Sequence, residues 1–462
     1  MKRRVVITGM GIMTSIGLSV REFWANCLRG ETRIEKIPDH WFDYSDFNSQ
    51  LWSPLPEISL ENYEINRIEQ KQIDKSSLIA MACAFQALES AGLQLEKQDQ
   101  RRNTFTVPSI NRERAGVFMG TGIGGAKTFS ECFAYQSTAR QKEALSGLLL
   151  RLKERGLQES EKLNQIMGRL IIPKRFHPFA VSMIMPNACS GNLGIKFDFR
   201  ASNNTFCAAC ASGTVAIGYG FKAIRSGEID IALAGGTEYL YDAYGGIFYG
   251  FDAVKALTSN NENPDGANCP FDVKHSGFLF SEGGGAVLVI EELDHALRRG
   301  APIIAEIIGY AETCDAHNIM MMQSSGQNIM TMIGRVLEDG GISEKEVDYL
   351  NTHGTGTVLN DETEVKVIDK AFGRGVLVNS TKSLLGHTLG ASGAIEAVVA
   401  ALSIKHKTTH ICKNLDEPIA DLSFVTRVDS YPIRTALSQS FGFGGHNAAL
   451  LLREYGVVQN PA

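Results

Sequence analysis

Residues 205–218 read TFCAACASGTVAIG, and this stretch decides how the rest of the chain is interpreted. Small and apolar residues follow Cys210, which predicts a buried helix beginning near that cysteine. A helix N-terminus offers unpaired N–H groups and the positive end of the helix dipole, and both favour a thiolate over a thiol. The pattern therefore predicts that Cys210 is a nucleophile, whereas Cys207 is a residue of the preceding strand.

The spacing of Cys207 and Cys210 also permits half of a zinc site or a redox pair. The remaining cysteines form no second CxxC, and a structural zinc site usually needs two such pairs, so we expect no metal. A thioredoxin-like pair needs an exposed first cysteine, and the buried helix after Cys210 does not favour it. A CxxC thiol oxidoreductase stays open as an alternative.

The composition excludes several classes of protein. The chain has 462 residues, of which 44% are hydrophobic and 21% charged, and its formal net charge is −6. This is an ordinary globular balance with no reason to expect nucleic acid as a partner. Nine dilute cysteines suit a reducing compartment, and no apolar run approaches the roughly 20 residues of a membrane span. We therefore expect a cytoplasmic protein without a membrane span.

Short β-branched runs alternate with stretches of helical spacing, which predicts a layered α/β fold. The predicted strands cover residues 5–8, 116–119, 229–234, 286–290, 303–308, 376–379 and 448–452. The predicted helices cover residues 76–92, 211–226, 328–339, 361–372 and 391–405.

Both parts of the chain repeat the order strand, glycine-bearing loop and helix, which suggests an internal duplication. The boundary falls near HALRRGAPI (295–303), so we predict halves at 1–298 and 303–458. Residues 126–176 are rich in Lys, Arg, Glu and Leu at helical spacing. We interpret them as a helical insertion, either solvated or forming a docking or dimer surface.

A glycine-rich loop, GTGIGG at 120–125, formally matches the dinucleotide fingerprint GxGxxG after a strand. The residues that follow do not continue into a second strand that ends in an acidic residue. We therefore interpret the loop as a tight turn with close backbone packing.

Two histidines stand at predicted strand ends beside glycines, where α/β sheets collect functional groups. His353 lies in NTHGTGT, and His387 lies in STKSLLGH together with Lys382. A nucleophilic cysteine with two loop histidines is a rarer constellation than one structural histidine. Phe443 lies in the last glycine loop, GFGG, and suits a mobile gate or a backbone N–H donor.

Four ordered blocks, ACASG (209–213), HGTGT (353–357), STKSLLGH (380–387) and GFGG (442–445), resemble the β-ketoacyl-acyl-carrier-protein synthases of the elongating KAS I/II type. The resemblance covers nearly the whole chain. It implies a thiolase-like, five-layered αβαβα fold of two similar halves, assembled as a homodimer. A degradative thiolase would carry a second catalytic cysteine in the last loop, which GFGG lacks.

The resemblance also implies roles for individual residues. Cys210 would take the acyl chain from the carrier protein, and His353 and His387 would bind the malonyl thioester carbonyl. Lys382 would order the site electrostatically. The N–H groups of Cys210 and Phe443 would form the oxyanion hole, with the Phe443 side chain as gate. The supporting carboxylates would be Asp361, Glu364 and Glu396.

The implied reaction is decarboxylative Claisen condensation of malonyl-acyl carrier protein with an acyl chain on Cys210, in fatty-acid or related lipid or polyketide synthesis. Its partners would be acyl carrier protein and acyl and malonyl thioesters, with no metal or cofactor beyond the carrier's phosphopantetheine arm. Basic pairs at 174–175 and 298–299 are candidate carrier contacts. His275 and Ser276 stand where the family commonly has Arg-Asp. Together with the insertion, they keep open a noncatalytic or chain-length-determining subunit of a heterodimer.

Overall fold

The structure of the chain is a computed structural model that describes residues 2–156, 159–169, 171, 173 and 175–456. Lys174, named above as a carrier contact, and residues 457–458 of the predicted second half lie outside these ranges. The strands are β1 Val5–Met13, β2 Glu35–Lys36, β3 Leu51–Ser53, β4 Glu96–Asp99, β5 Thr104–Thr106, β6 Ala115–Gly120, β7 Asn203–Phe206, β8 Ile231–Tyr239, β9 Phe280–Ser281, β10 Gly283–Glu292, β11 Ala305–Cys314, β12 Tyr349–Asn351, β13 Leu377–Asn379, β14 Thr435–Gly442 and β15 His446–Arg453. The helices are α1 Val20–Arg29, α2 Arg67–Gln72, α3 Lys75–Ser90, α4 Ala126–Glu154, α5 Glu159–Arg169, α6 Ala180–Ile184, α7 Ala188–Phe197, α8 Ser212–Ser226, α9 Gly246–Ala253, α10 Leu293–Arg298, α11 Gln327–Gly340, α12 Val358–Phe372, α13 Lys382–Leu385 and α14 Ser392–His406.

The main sheet has ten strands in the order β13-β12-β14-β15-β11-β1-β10-β8-β6-β7. Divided between β11 and β1, it gives two groups of five in which the strands, numbered within each group, follow the same order, 3-2-4-5-1. In each group the second strand pairs in parallel with the third and fourth, and the fifth pairs antiparallel with the fourth and first. The predicted α/β fold of two similar halves is confirmed. The boundary proposed from the sequence lies between α10 and β11.

The two groups of strands are joined where residues 5–7 of β1 pair with residues 305–307 of β11. Helices cover both groups and lie between them, and three apolar clusters fill the spaces between the layers. The central cluster joins α8 and α14 to both halves, and the outer clusters lie under α3 and α7 and under α11 and α12. Helix α14 is buried from Ser392 to Ile404, as expected of a helix that is apolar nearly all round. The arrangement has the predicted five layers, and it brings the N-termini of α8 and α14 close together.

The predicted insertion forms the long helix α4 and the shorter α5, which contact each other. Several apolar side chains on α4 remain exposed, among them Phe129 (58%), Phe133 (63%) and Leu150 (62%). Among the described residues, no helix is both long and apolar enough to cross a membrane.

Candidate active site

Cys210 lies where the chain turns from β7 into α8. A short 3₁₀ turn, Ala209–Ala211, precedes the first residue of α8, so Cys210 stands just before the helix N-terminus as predicted. Ala209 has φ 47°, a left-handed conformation that residues other than glycine rarely adopt. Cys207 follows the last residue of β7 and is exposed, whereas Cys210 is buried. The two cysteines therefore have different environments, and both are unpaired.

His387 contacts the cysteine directly. Its Nε2 lies 3.0 Å from Cys210 Sγ, while the Leu389 N–H donates to its Nδ1 over 3.3 Å. A ring nitrogen that accepts a hydrogen bond carries no proton, so the neutral ring holds its proton on Nε2. The Ser392 hydroxyl also contacts Nδ1, at 3.0 Å. His387 thus directs an N–H group at the sulfur.

Lys382 orders the second histidine. Its Nζ lies 3.3 Å from His353 Nδ1 and 2.5 Å from Glu396 Oε1, and all three side chains are buried. Because an ammonium can only donate, His353 also holds its proton on Nε2. The rings of His353 and His387 are nearly perpendicular, with centroids 5.5 Å apart. The site therefore contains two neutral imidazoles whose Nε2 atoms are both donors.

Burial sets the protonation states of these groups. It lowers the pKa of both His353 and His387 well below the usual value, and the positive Lys382 lowers each further. Burial raises the pKa of the Cys210 thiol to about 12, although Lys382 opposes this. Burial therefore favours the thiol form at rest, whereas the helix N-terminus favours the thiolate.

The two carboxylates predicted on α12 support the histidine loop through its backbone. Glu364 accepts hydrogen bonds from the His353 and Gly354 N–H groups, each at 2.7 Å. Asp361 accepts from the Gly356 N–H at 3.2 Å and lies 3.3 Å from His275 Nδ1. Both therefore act on the shape of the HGTGT loop rather than on the cavity.

The Cys210 sulfur and both histidines line a cavity of about 380 Å³. Phe443 lines the same cavity and is 38% exposed, which suits a gate. A Cβ atom added to Gly442 would lie 3.2 Å from the Cys210 nitrogen, so the turn that carries Phe443 packs against the cysteine backbone. The fold thus brings the predicted site residues together. Asp361 and Glu364 do not line the cavity and contact the backbone of the HGTGT loop instead.

The cavity wall also contains residues that the motifs did not indicate. Met183 and Met185, in the stretch before β7, do not line this cavity. Three consecutive methionines from another loop line it instead, together with Ser276 of the divergent His275-Ser276 pair and other side chains. These lining residues are Met320, Met321, Met322, Phe251, Phe278, Asn360 and Leu389. No sequence pattern marks the methionines, because only the fold brings their loop to the cavity.

One of the two basic pairs is unsuited to binding a partner. The Arg299 guanidinium donates hydrogen bonds to Glu291 and to the carbonyl of Ala91, so it is not available to bind a partner. Arg175 is exposed and lines a groove of about 580 Å³ with Lys71, Lys75 and Lys127. In the part of the chain described, no group of three or more His, Cys, Asp or Glu side chains could hold a metal ion.

A cysteine from one half that faces two histidines from the other, across the centre of a duplicated αβ fold, is the arrangement of the thiolase-like acyltransferases. The comparisons narrow this class. The family model for the β-ketoacyl synthase N-terminal domain matches residues 2–296, and that for the C-terminal domain matches residues 304–416. The chain belongs to the β-ketoacyl synthase family, and it is an acyltransferase.

Relatives match along the whole length of the chain. It is 33% identical to 3-oxoacyl-[acyl-carrier-protein] synthase 2 of Synechocystis, over 98% of this chain and 99% of that one. It is 35% identical to the protein of the same name from Staphylococcus aureus, again over 98% of this chain and 99% of that one. A similar solved structure is a type II polyketide synthase complex of an acyl-carrier protein with its ketosynthase bound to the hexaketide. One chain of that complex matches with a TM-score of 0.79 and 29% sequence identity, over 98% of this chain and 100% of that one.

Proposed function

We propose that the protein condenses malonyl-acyl carrier protein with an acyl chain held on Cys210, which yields a 3-oxoacyl-acyl carrier protein and carbon dioxide. The observation that carries this proposal is the 3.0 Å contact of Cys210 with His387, in one cavity with the Lys382-ordered His353. Relatives named for this synthase activity, 33% and 35% identical over nearly the full length, support it.

In the first step, Cys210 Sγ attacks the carbonyl of the carrier-bound acyl thioester. The bond from that carbonyl to the carrier sulfur breaks, and the Cys210 proton ends on the departing carrier thiol. The N–H groups of Cys210 and Phe443 are the proposed donors to the oxyanion, since their backbones pack together. The His387 Nε2–H stabilises negative charge as it develops on Sγ during the attack.

Acylation then frees the second donor for the next substrate. Once Sγ carries the acyl group, the Nε2–H groups of His387 and His353 can both donate to the malonyl thioester carbonyl. Loss of carbon dioxide places enolate charge on that oxygen, which two neutral donors stabilise. The enolate carbon attacks the acyl carbonyl, the bond to Sγ breaks, and the Cys210 thiol is restored with a proton from water.

The direct test supplies acyl-carrier protein and malonyl-carrier protein together and follows the carrier-bound product by mass spectrometry. We expect a 3-oxoacyl product two carbons longer than the primer, with one carbon dioxide released per turnover. No product with any primer length from short to long would contradict the proposal. It would favour a noncatalytic or chain-length-determining subunit, which would instead require a second ketosynthase chain for activity.

The proposed reaction needs no resident cofactor, because the carrier's phosphopantetheine arm brings both thioesters to the site. It also does not use Cys207 and Cys210 as a redox pair, since Sγ of Cys210 faces His387. All nine cysteines are unpaired, which suits the reducing cytoplasm that we propose as the location.

We propose that acyl carrier protein, which is acidic, docks at the basic groove that Arg175, Lys127, Lys71 and Lys75 line. Replacing Arg175 and Lys127 by glutamate should raise the KM for the carrier substrate about tenfold with little change in kcat, because rim charges mainly steer association. The wild-type enzyme should lose affinity with added salt, and the variant should lose less. Arg298→Glu is the matched control, because Arg298 is exposed and belongs to the other candidate basic pair. An equal rise in KM for Arg298→Glu would contradict the proposal that the carrier docks at the groove.

We further propose a homodimer formed through the edge strand β7, which has a sheet neighbour only on its β6 side in the described chain. Apolar side chains near it are exposed, including Ile195 (69%) on α7 and Val181 (73%) on α6. Ile195→Glu should shift the sedimentation coefficient from dimer to monomer, whereas Leu150→Glu on α4 should not. A monomeric wild-type protein at micromolar concentration would contradict this proposal.

A further inference from the structure

The glycine-rich loop at 120–125, which resembles a phosphate-binding fingerprint, binds a carboxylate of the protein itself. Glu238 stands near the end of β8 and is fully buried. Its Oε2 accepts from the Gly122 N–H at 2.5 Å, and its Oε1 accepts from the Ile123 N–H at 3.2 Å and from the Thr121 hydroxyl at 3.0 Å. The loop therefore provides three donors to one internal anion.

A fourth donor comes from the other half of the molecule. The Gly390 N–H donates to Glu238 Oε2 over 3.1 Å, and Gly390 lies three residues after His387. A Cβ atom added to Gly122 would lie 2.8 Å from Oε2, and one added to Gly390 would lie 2.5 Å from the same oxygen. Glycine is needed at both positions because the carboxylate fills the space between the two loops.

The same loop also contacts the turn that carries the nucleophile. The Ser212 hydroxyl, two residues after Cys210, lies 3.2 Å from the Thr121 carbonyl and 2.8 Å from the Ala208 N–H. Residues 121–123 therefore form a hydrogen bond to the Cys210 turn through the Ser212 hydroxyl. They are linked to the His387 turn through Glu238, which accepts hydrogen bonds from both loops. The 3.0 Å contact between Sγ and Nε2 depends on the relative position of these two turns.

We propose that Glu238 is a positioning residue that holds the Cys210 and His387 turns in register through the glycine loop, and that, as a buried anion bonded to that loop, it opposes ionisation of Cys210. Both parts start from the burial of Glu238 and its bonds to the two turns, whereas the consequence for acyl transfer rests on the proposed function. Neither role follows from the catalytic motifs, since Glu238 touches no substrate-facing atom of Cys210 or His387.

The charges around the cysteine support the electrostatic part. Burial is the largest cause of the raised pKa of the Cys210 thiol. Lys382 lowers that pKa, whereas Glu238 and Glu396 raise it, and the two facing histidines are neutral. Burial raises the pKa of Glu238 itself to about 7, although its four donors oppose this. Burial and, after it, Glu238 also raise the pKa of the Cys189 and Cys207 thiols. Removing the Glu238 charge should therefore make the Cys210 thiol easier to ionise.

The test compares Glu238→Gln with the wild type in two measurements. The first is the pH dependence of Cys210 alkylation by iodoacetamide, followed on the Cys210 peptide by mass spectrometry because Cys207 and Cys314 are exposed. Its rise should move to lower pH by about one unit, as expected for loss of a nearby like charge. The second is the rate of acyl transfer to Cys210, which should fall about tenfold to a hundredfold because the amide must direct its NH₂ at N–H donors.

Glu291→Gln is the matched control. Glu291 is also fully buried, but it lies at the far end of β10 and binds Arg299 and His295. Its loss should destabilise the fold while both measurements at Cys210 stay as in the wild type. If Glu238→Gln does not fold, Gly122→Ala serves in its place, since the new methyl group pushes on the carboxylate.

A normally melting variant with an unchanged alkylation profile and an unchanged transfer rate would overturn the proposal. A shifted profile with unchanged transfer would overturn the positioning part. If even the wild type transfers no acyl group, the proposed function fails, and the alkylation profiles still decide the electrostatic part.

Discussion

Cys210→Ala is expected to carry no acyl group after incubation with acyl-carrier protein, and its condensation rate should fall by about 10⁴- to 10⁶-fold. The sulfur is the only group at the α8 N-terminus that can form the thioester, and nothing else in the described cavity replaces it at 3.0 Å from His387. Intact-protein mass spectrometry measures the adduct directly. Cys207→Ala is the control, because Cys207 is exposed and should leave adduct formation unchanged. An adduct that survives Cys210→Ala would remove the cysteine from the mechanism.

Cys210→Ala should still decarboxylate malonyl-carrier protein. His353 keeps its contact with Lys382, and His387 keeps its N–H donor to Nδ1, so both Nε2–H groups remain available. The variant thus separates the two half-reactions, and simultaneous loss of both would indicate damage to the whole site.

Much of the fold was predictable from local patterns. The seven predicted strands and five predicted helices lie at nearly their observed positions because buried strands and buried helices leave strong apolar signals, whereas β14 was not predicted. The site was predictable to the same extent, since Cys210, His353 and His387 each lie in a glycine-bearing loop at a strand end. The repeated order of strand, loop and helix in the sequence indicated the duplication. In the structure, the strands of the two halves follow the same order.

The remaining features depend on contacts between distant residues. Burial raises the pKa of the Cys210 thiol, and the position of Cys210 at a helix N-terminus does not indicate this. Glu238 fills the glycine loop from 116 positions away. Arg299 looked like a surface cation, but its partner Glu291 is determined by the fold. Such pairings leave no periodic signal in the sequence.

His353→Ala is expected to slow decarboxylation of the malonyl thioester by about 10²- to 10³-fold, the usual cost of one lost oxyanion donor. The same variant should still form the acyl adduct on Cys210, because it is His387 that contacts the sulfur. Carbon dioxide release measures the first effect, and intact mass measures the second. His317→Ala, an exposed histidine outside the cavity, is the control.

Neither His353 nor His387 should contribute a titration step to the wild-type rate of decarboxylation between about pH 8 and pH 6. The pKa of both His353 and His387 lies well below the usual value because of burial and Lys382, so each ring keeps its neutral donor form throughout that range. As the pH falls, protonation of either ring would begin only below pH 6, and it would place a second positive charge beside Lys382. A fall near pH 6.5 that persists in both Glu238→Gln and Glu364→Gln would mean that one ring titrates normally, because those two carboxyl groups have pKa values of about 7. In that case, the buried Lys382–His353 contact would not be what fixes the donor.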